Sequence, residues 1–297
     1  MSINEAHVTS ELYSKNTKLD ENSSGYVNSK FHFHLPSNFN GGEEIRPNLE
    51  VDKDGDYVVD RKKDLIQETI TIEHKASTSL KLVGLQIWRG ALLLADYILS
   101  NKTKFANKVI LELGAGVGLT SIVAGMLAKE VIFTGQYTSL LFSLDIDEGT
   151  ILDLIKRNVS NNKKLIKSNS AVLPLDFMDM SWNDELMEKL KTVDIVIAAD
   201  VIYDNEVTEG FVKALTRILQ IPPKKSALIA LEKRYVFTID DLDTTAPCCE
   251  YFLEYLKLYW NRPPMSRWTF RELKIDFDQF FEYKRLKQLI LWEVTTD

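Results

Sequence analysis

Val109-Ile110-Leu111-Glu112-Leu113-Gly114-Ala115-Gly116-Val117-Gly118 is an apolar run carrying one charge, followed at once by three glycines at alternate positions. The apolar run fits a buried central strand, and Leu119, Ile122, Val123 and Met126 beyond it recur at helical spacing. Between strand and helix the backbone must turn sharply and come close to a ligand, which glycine alone permits without steric cost. The spacing discriminates between cofactors. A dinucleotide fingerprint, G-x-G-x-x-G, needs a glycine at position 119, where Leu119 stands, and this counts against a nicotinamide-dependent oxidoreductase. G-x-G-x-G after a strand is the form usual in S-adenosylmethionine-dependent enzymes. Glu112 then has an electrostatic use beside a cationic sulfonium and an α-ammonium group, its alternative being a capping or structural acid.

Outward from this turn, strand and helix patterns alternate to the C-terminus, which predicts an open, mostly parallel α/β sheet covered on both faces. The second strand reads as Val131 to Thr134. A carboxylate about 20 to 30 residues past the glycine turn commonly accepts the ribose hydroxyls, yet Asp145 and Asp147 come late. The uncharged residues 135–144 belong to neither the strand nor the helix that starts at Ile151. Their removal would join Thr134 to Asp145 and restore a compact unit, so they read as an insertion, either a loop beside the cofactor or a retained intron in the gene model. Further on, Val193 to Ala199 forms another buried strand and ends in Asp200-Val201-Ile202-Tyr203. Ligands of open α/β sheets lie outside the carboxyl ends of the strands, which brings Asp200 and Tyr203 to the crevice of the glycine turn. Read alone, Asp200 could equally be an N-cap and Tyr203 a core aromatic.

Upstream, Leu85, Trp88, Leu92, Ala95 and Leu99 share one helical face, which leaves Trp88 readable as ordinary core. Tyr57–Val59 and Leu65–Ile72 predict a small antiparallel unit within residues 51–80. Residues 1–50, rich in Asn, Ser, Lys and Glu, read as a mostly disordered leader, with Phe31 to Leu35 as a possible short strand. His32 and His34 would share a face of that strand, but no third metal ligand is visible and no metal site is assigned. The chain has 297 residues, 36 basic and 43 acidic, a net charge of −7 that argues against a general nucleic-acid binder. Cys248 and Cys249 are adjacent and form neither a metal spacing nor a disulfide framework, and no apolar run approaching the roughly 20 residues of a membrane span is evident. A soluble intracellular protein is expected.

Leu85-Gln86-Ile87-Trp88-Arg89-Gly90-Ala91, the Glu112–Gly118 turn and Asp200-Val201-Ile202-Tyr203 together resemble methyltransferase family 16, the seven-strand protein-lysine methyltransferases. Glu232-Lys233-Arg234 and the terminal Tyr283-Lys284-Arg285-Leu286 extend the match over about residues 65–297. The resemblance implies a Rossmann-like, seven-stranded class I methyltransferase sheet with helices on both faces over residues 81–297. It implies S-adenosyl-L-methionine as cofactor, with Trp88 packed against it, Glu112, Gly114 and Gly116 at its methionine part, Asp145 at its ribose, Phe177 at its adenine, and Ala115 and Ala198 also in contact with it. Asp200 and Tyr203 match the D-x-x-Y element near the acceptor amine. Two departures are the insertion and Phe177, which stands where the family usually has tryptophan. The implied partner is a protein substrate, in the subfamily a nucleic-acid-binding protein of the Kin type, with a monomeric enzyme in nucleus or cytoplasm, no direct nucleic-acid contact and no membrane. A small-molecule or nucleic-acid methyltransferase and an inactive scaffold of the same fold are the competing readings.

Overall fold

The computed structural model describes residues 7–13, 25–36, 39, 50–51, 57–58, 65–136, 151–238 and 243–296. In chain order the strands are β1 (His7–Val8), β2 (Tyr26–Pro36), β3 (Glu50–Val51), β4 (Tyr57–Val58), β5 (Leu65–Lys75), β6 (Thr78–Ser79), β7 (Val109–Glu112), β8 (Glu130–Gly135), β9 (Asn169–Pro174), β10 (Ile195–Ala199), β11 (Ser226–Glu232), β12 (Val236–Thr238), β13 (Asp243–Thr245), β14 (Thr269–Glu272) and β15 (Leu289–Thr295). The helices are α1 (Arg89–Ser100), α2 (Lys102–Phe105), α3 (Leu119–Ala124), α4 (Ile151–Asn161), α5 (Asp184–Leu190), α6 (Asn205–Gln220) and α7 (Pro247–Tyr259).

Seven strands form one sheet in the order β14-β15-β11-β10-β7-β8-β9. From β9 to β11 neighbours run parallel, while β15 runs antiparallel to both β11 and β14. Numbered along the chain from β7, the parallel part reads 3-2-1-4-5, the doubly wound order whose reversal beside the first strand opens a crevice. Alternate residues of each strand feed two cores. Ile110, Ile197 and Leu228 pack with α1, α3 and α4 on one face, whereas Leu111, Val196 and Ile229 pack with α5, α6 and α7 on the other.

The amino-terminal part departs from the expected leader where it is described. β2 pairs over eleven residues with β5, from Tyr26↔Lys75 to Pro36↔Leu65, so β5 finds its partner upstream and not at Tyr57–Val59. The physical reason is burial: Tyr26, Phe33 and Leu35 pack into the α1-side core with Ile70 and Ile72. Asn158 of α4 and Asn162, just past its end, then satisfy the edge of β5. Their side-chain oxygens accept from Glu73 and Thr71 N–H (2.8 and 2.9 Å), and their amides donate to the carbonyls of the same two residues. β4 pairs instead with β3.

Two further expectations shift. Leu85 ends a 3-10 turn over Leu80–Leu85 and Trp88 caps α1, so neither sits within the α-helix, because Gln86 and Trp88 adopt extended backbone. The stretch Leu80–Ser100 is long and apolar enough to cross a bilayer, contrary to the sequence reading, but it is broken at that point and mostly buried within the body.

Asp96 of α1 fixes the segment before β15. Its Oδ1 accepts from Phe280 and Phe281 N–H (2.8 and 3.2 Å), and its Oδ2 from the Tyr283 hydroxyl (2.9 Å) and Arg285 Nη2 (2.8 Å), all at zero exposure of Asp96. Removing the carboxylate takes the acceptor from two backbone amides and one of the acceptors from the Arg285 guanidinium, which keeps its bonds to Tyr283, Phe277 and Asp278. Asp96→Ala is expected to cost about 3 kcal/mol in urea denaturation, with a parallel loss in Leu→Ala-type core changes but not in surface controls.

Candidate active site

β7 ends at the centre of the sheet, and the chain leaves it through Gly114 (φ +66°), Gly116 (φ +55°) and Gly118 (φ +90°). A Cβ at Gly114 would stand 2.9 Å from Val201 Cγ1, and one at Gly116 3.0 Å from the Gly84 carbonyl oxygen. Glycine is therefore required both by conformation and by the approach of the Gly84 backbone and the Val201 side chain. A cleft opens over this turn, bounded by Val83–Trp88, Glu112, Gly114–Val117, Thr120, Gly135–Gln136, Ile151, Asp176–Met178, Ala199–Val201 and Tyr203.

Glu112 is the charged group at its floor. Its carboxylate, 2% exposed, accepts from Ser121 N–H at 3.0 Å, and burial pushes its pKa up to about 7, partly offset by hydrogen bonds from Ser121 and Thr120. A group so placed is ready to lose its proton when a cation arrives. Trp88, 8% exposed, forms a wall; its indole N–H donates to the Val83 carbonyl at 3.0 Å, and Arg234 stacks at 4.3 Å from the ring centroid. Phe177 also lines the cleft, packed edge-on against Phe211 of α6.

Asp200 follows β10 in the left-handed region (φ +52°). Its Oδ2 accepts from Gly90 N–H at 2.6 Å and its Oδ1 from Glu232 N–H at 2.9 Å, so one carboxylate ties the start of α1 to the end of β11. A Cβ at Gly90 would stand 2.5 Å from Oδ2, which leaves glycine the sole residue for that place. Burial raises the Asp200 pKa, against the Arg234 charge and the two amides, which lower it. The N-cap alternative is excluded for α6: Asp204 performs it, accepting from Val207 N–H at 3.0 Å. Tyr203 lines the cleft, its hydroxyl held protonated by burial and by the charge of Asp204. Beside Asp200, Arg89 Nη1 lies 2.8 and 2.9 Å from the oxygens of Glu232 and 3.5 Å from Glu11.

The fold thus gathers Trp88, Glu112, Gly114, Ala115, Gly116, Phe177, Asp200 and Tyr203 around one cleft. Ala198 is not among them: it points into the α6-side core at 1% exposure, and Ala199 lines the cleft, because successive strand residues face opposite sides. Asp145 lies outside the described residues, as does the suspected insertion from 137 onward. Gly135, counted in that insertion, is strand: it pairs with Pro174 and its carbonyl accepts from Leu175 N–H at 2.9 Å. Sequence reasoning missed Gln86, Thr120, Gln136 and Asp176 as polar lining; Gln136 donates to Asp176 at 3.0 Å. Only the position of Gln136 just past a strand end carried a signal. Among the described residues no group of three or more His, Cys, Asp or Glu is placed to hold a metal.

The Glu112 environment fixes the sign of a pH effect. A carboxylate whose folded pKa of about 7 exceeds its ordinary 4.5 binds protons more tightly in the folded state, so its contribution is complete below pH 4.5 and is lost as pH rises through 7. Stability of the ligand-free chain should fall by about 3 kcal/mol across that window, and Glu112→Gln should remove this part of the slope in urea titrations at pH 5, 6, 7 and 8.

Comparison with known proteins agrees with this geometry. The sequence profile of a lysine methyltransferase family matches residues 65–244. The chain is 32% identical to methyltransferase-like protein 22 of Mus musculus over 86% of its length and 66% of the relative's, and 30% identical to that of Homo sapiens over 86% and 64%. It thus spans about two thirds of these curated relatives. A protein N-lysine methyltransferase of Xenopus tropicalis is 28% identical over 60% of this chain and 69% of its own. Among solved structures, a T. thermophilus 16S rRNA methyltransferase in complex with AdoMet and guanosine gives a TM-score of 0.46 at 13% identity, covering 77% of this chain and 48% of that one. With the matched profile covering more than half its residues, the strand order of a seven-stranded Rossmann-like methyltransferase and the glycine turn in place, the chain belongs to the lysine methyltransferase family 16.

Proposed function

We propose that this chain transfers a methyl group from S-adenosyl-L-methionine to a lysine side chain of another protein. The observation that carries the reading is Glu112: a buried carboxylate of near-neutral pKa set beside a glycine turn, at the carboxyl ends of the strands, lining a cleft that Asp200 and Tyr203 also line. Those residues fit the cofactor. Gly114, Ala115 and Gly116 admit close backbone approach, Glu112 complements the cationic methionine part, and Trp88 and Phe177 give apolar walls, with Phe177 at the adenine side. Ala199 takes the neighbouring place that Ala198 does not reach. Asp145 remains the proposed ribose acid. When bound, the cofactor supplies an electrophilic methyl group.

The chain's own residues then have to bring an amine in and leave it neutral. A free lysine, with pKa about 10.4, loses roughly 4.6 kcal/mol to be neutral at pH 7. Asp200 presents a carboxyl group toward which the ammonium is drawn, and its two amide bonds leave it further acceptor positions to orient the amine. Desolvation between Trp88 and Tyr203 disfavours the charged form, so the proton passes to solvent before attack. No strong base is required, and positioning carries much of the rate. The products are methyl-lysine and S-adenosylhomocysteine.

The substrate is proposed to be a nucleic-acid-binding protein of the Kin type, met by a monomeric enzyme in the nucleus or cytoplasm; support comes from the similarity to methyltransferase-like protein 22 and from the net charge of −7, which suits a basic partner. Incubating the chain with methyl-tritiated cofactor and fractionated cell extract should place label in acid-stable methyl-lysine. Label in nucleic acid or small molecules, or none at all, contradicts the reading. Asp200→Ala should reduce turnover at least 100-fold, ~2.7 kcal/mol in barrier, while cofactor affinity changes far less.

A further inference from the structure

The arm formed by His7–Tyr13 lies outside the stretch matched by the family profile, and it is docked on the wall of the cleft. β1 pairs with β6 through His7↔Ser79 and Val8↔Thr78. Ser10, 1% exposed, donates its N–H to Gln86 Oε1 at 2.7 Å and its hydroxyl to the Ile87 carbonyl at 2.5 Å. The Gln86 amide, itself 2% exposed, returns bonds to the Val8 carbonyl (2.9 Å) and Thr78 Oγ1 (2.7 Å). The Tyr13 hydroxyl accepts from Ile87 N–H at 3.2 Å, and its ring stacks at 4.7 Å on His74, a residue of zero exposure. Glu11 reaches Arg89 at 3.5 Å, beside Glu232 and Asp200.

What the arm grips is the segment Val83–Trp88, every residue of which lines the cleft. That segment in turn bears on the glycine turn, where the Gly84 carbonyl stands 3.0 Å from the place of a Gly116 Cβ, and on the tryptophan wall through the Val83 carbonyl. Gln86 and Ile87 lie between the 3-10 turn that ends at Leu85 and α1 that starts at Arg89, with extended backbone at Gln86 and Trp88, so their geometry depends on the side chains that hold them.

We propose that the amino-terminal arm is a working part of the cofactor site, with Ser10 and Tyr13 as positioning residues that hold Val83–Trp88 in its binding geometry. This rests on the cofactor reading above and adds a thermodynamic consequence to it. If docking of the arm favours cofactor binding, binding must favour docking of the arm by the same factor, because coupling between two sites is reciprocal. A purely structural arm has no such coupling.

The test joins two measurements on the full chain. Calorimetric titration with S-adenosylhomocysteine should show roughly tenfold weaker binding by the Ser10→Ala/Tyr13→Phe double variant than by wild type. Hydrogen exchange on the wild-type chain, which needs no variant to fold, should show the amides of Ser10 and Leu12 slowed by about the same factor at saturating S-adenosylhomocysteine. Wild-type affinity in the variant, or arm exchange indifferent to the ligand, overturns the inference while leaving the cofactor assignment intact. Absence of binding by the wild-type chain removes both.

Discussion

Everything in the site depends on a backbone constraint. The chain must leave the end of β7 through residues at positive φ while Gly84 and Val201 press on it from two sides. Side chains at 114 and 116 are sterically impossible there, so the turn presents bare backbone to the cleft. The same constraint buries Glu112. A carboxylate one residue before the turn is fixed between the sheet and α3, too enclosed to be comfortably ionised and too close to the cleft to be indifferent to what binds there.

Asp200 solves the complementary problem on the acceptor side. Three elements converge at the crevice, the start of α1, the end of β10 and the end of β11, and each leaves backbone N–H groups that strand pairing cannot satisfy. One carboxylate in a left-handed turn accepts from two of them, at Gly90 and Glu232. Trp88 and Arg89 immediately precede Gly90, so the same bond bears on the tryptophan wall and on the Arg89–Glu232 pair. Asp200 therefore has a structural task and a chemical one, and its substitution is expected to touch both.

Much of this was legible in the sequence for a local reason. Buried parallel strands are short apolar runs, and the turn between strand and helix writes itself in glycine, so β7, β10 and the residues at their ends were placed within a residue or two. The resemblance implies Ala198 beside the cofactor, whereas Ala199 lines the cleft, since a period of two sends neighbours to opposite faces. The docked arm was illegible because its partners are 74 to 78 positions away and its residues are polar; Ser10 and Gln86 are buried only because each satisfies the other. The pairing of β2 with β5 hid for the same reason, across 39 residues at its middle, between Phe31 and Ile70, in a segment whose composition resembles disorder. Trp88 read as helical core because the spacing from Leu85 to Leu99 is helical, while the break at Gln86 is made by contacts that no local pattern records.

The central claim is that Glu112 receives a cation and becomes ionised in doing so. Calorimetric titration with S-adenosyl-L-methionine at pH 7, repeated in buffers of different ionisation enthalpy, counts the protons released on binding. About half a proton should be released in the wild-type chain, and none in Glu112→Gln, because a group of pKa near 7 is half protonated before the cation arrives. Binding by the wild type without proton release would contradict the account.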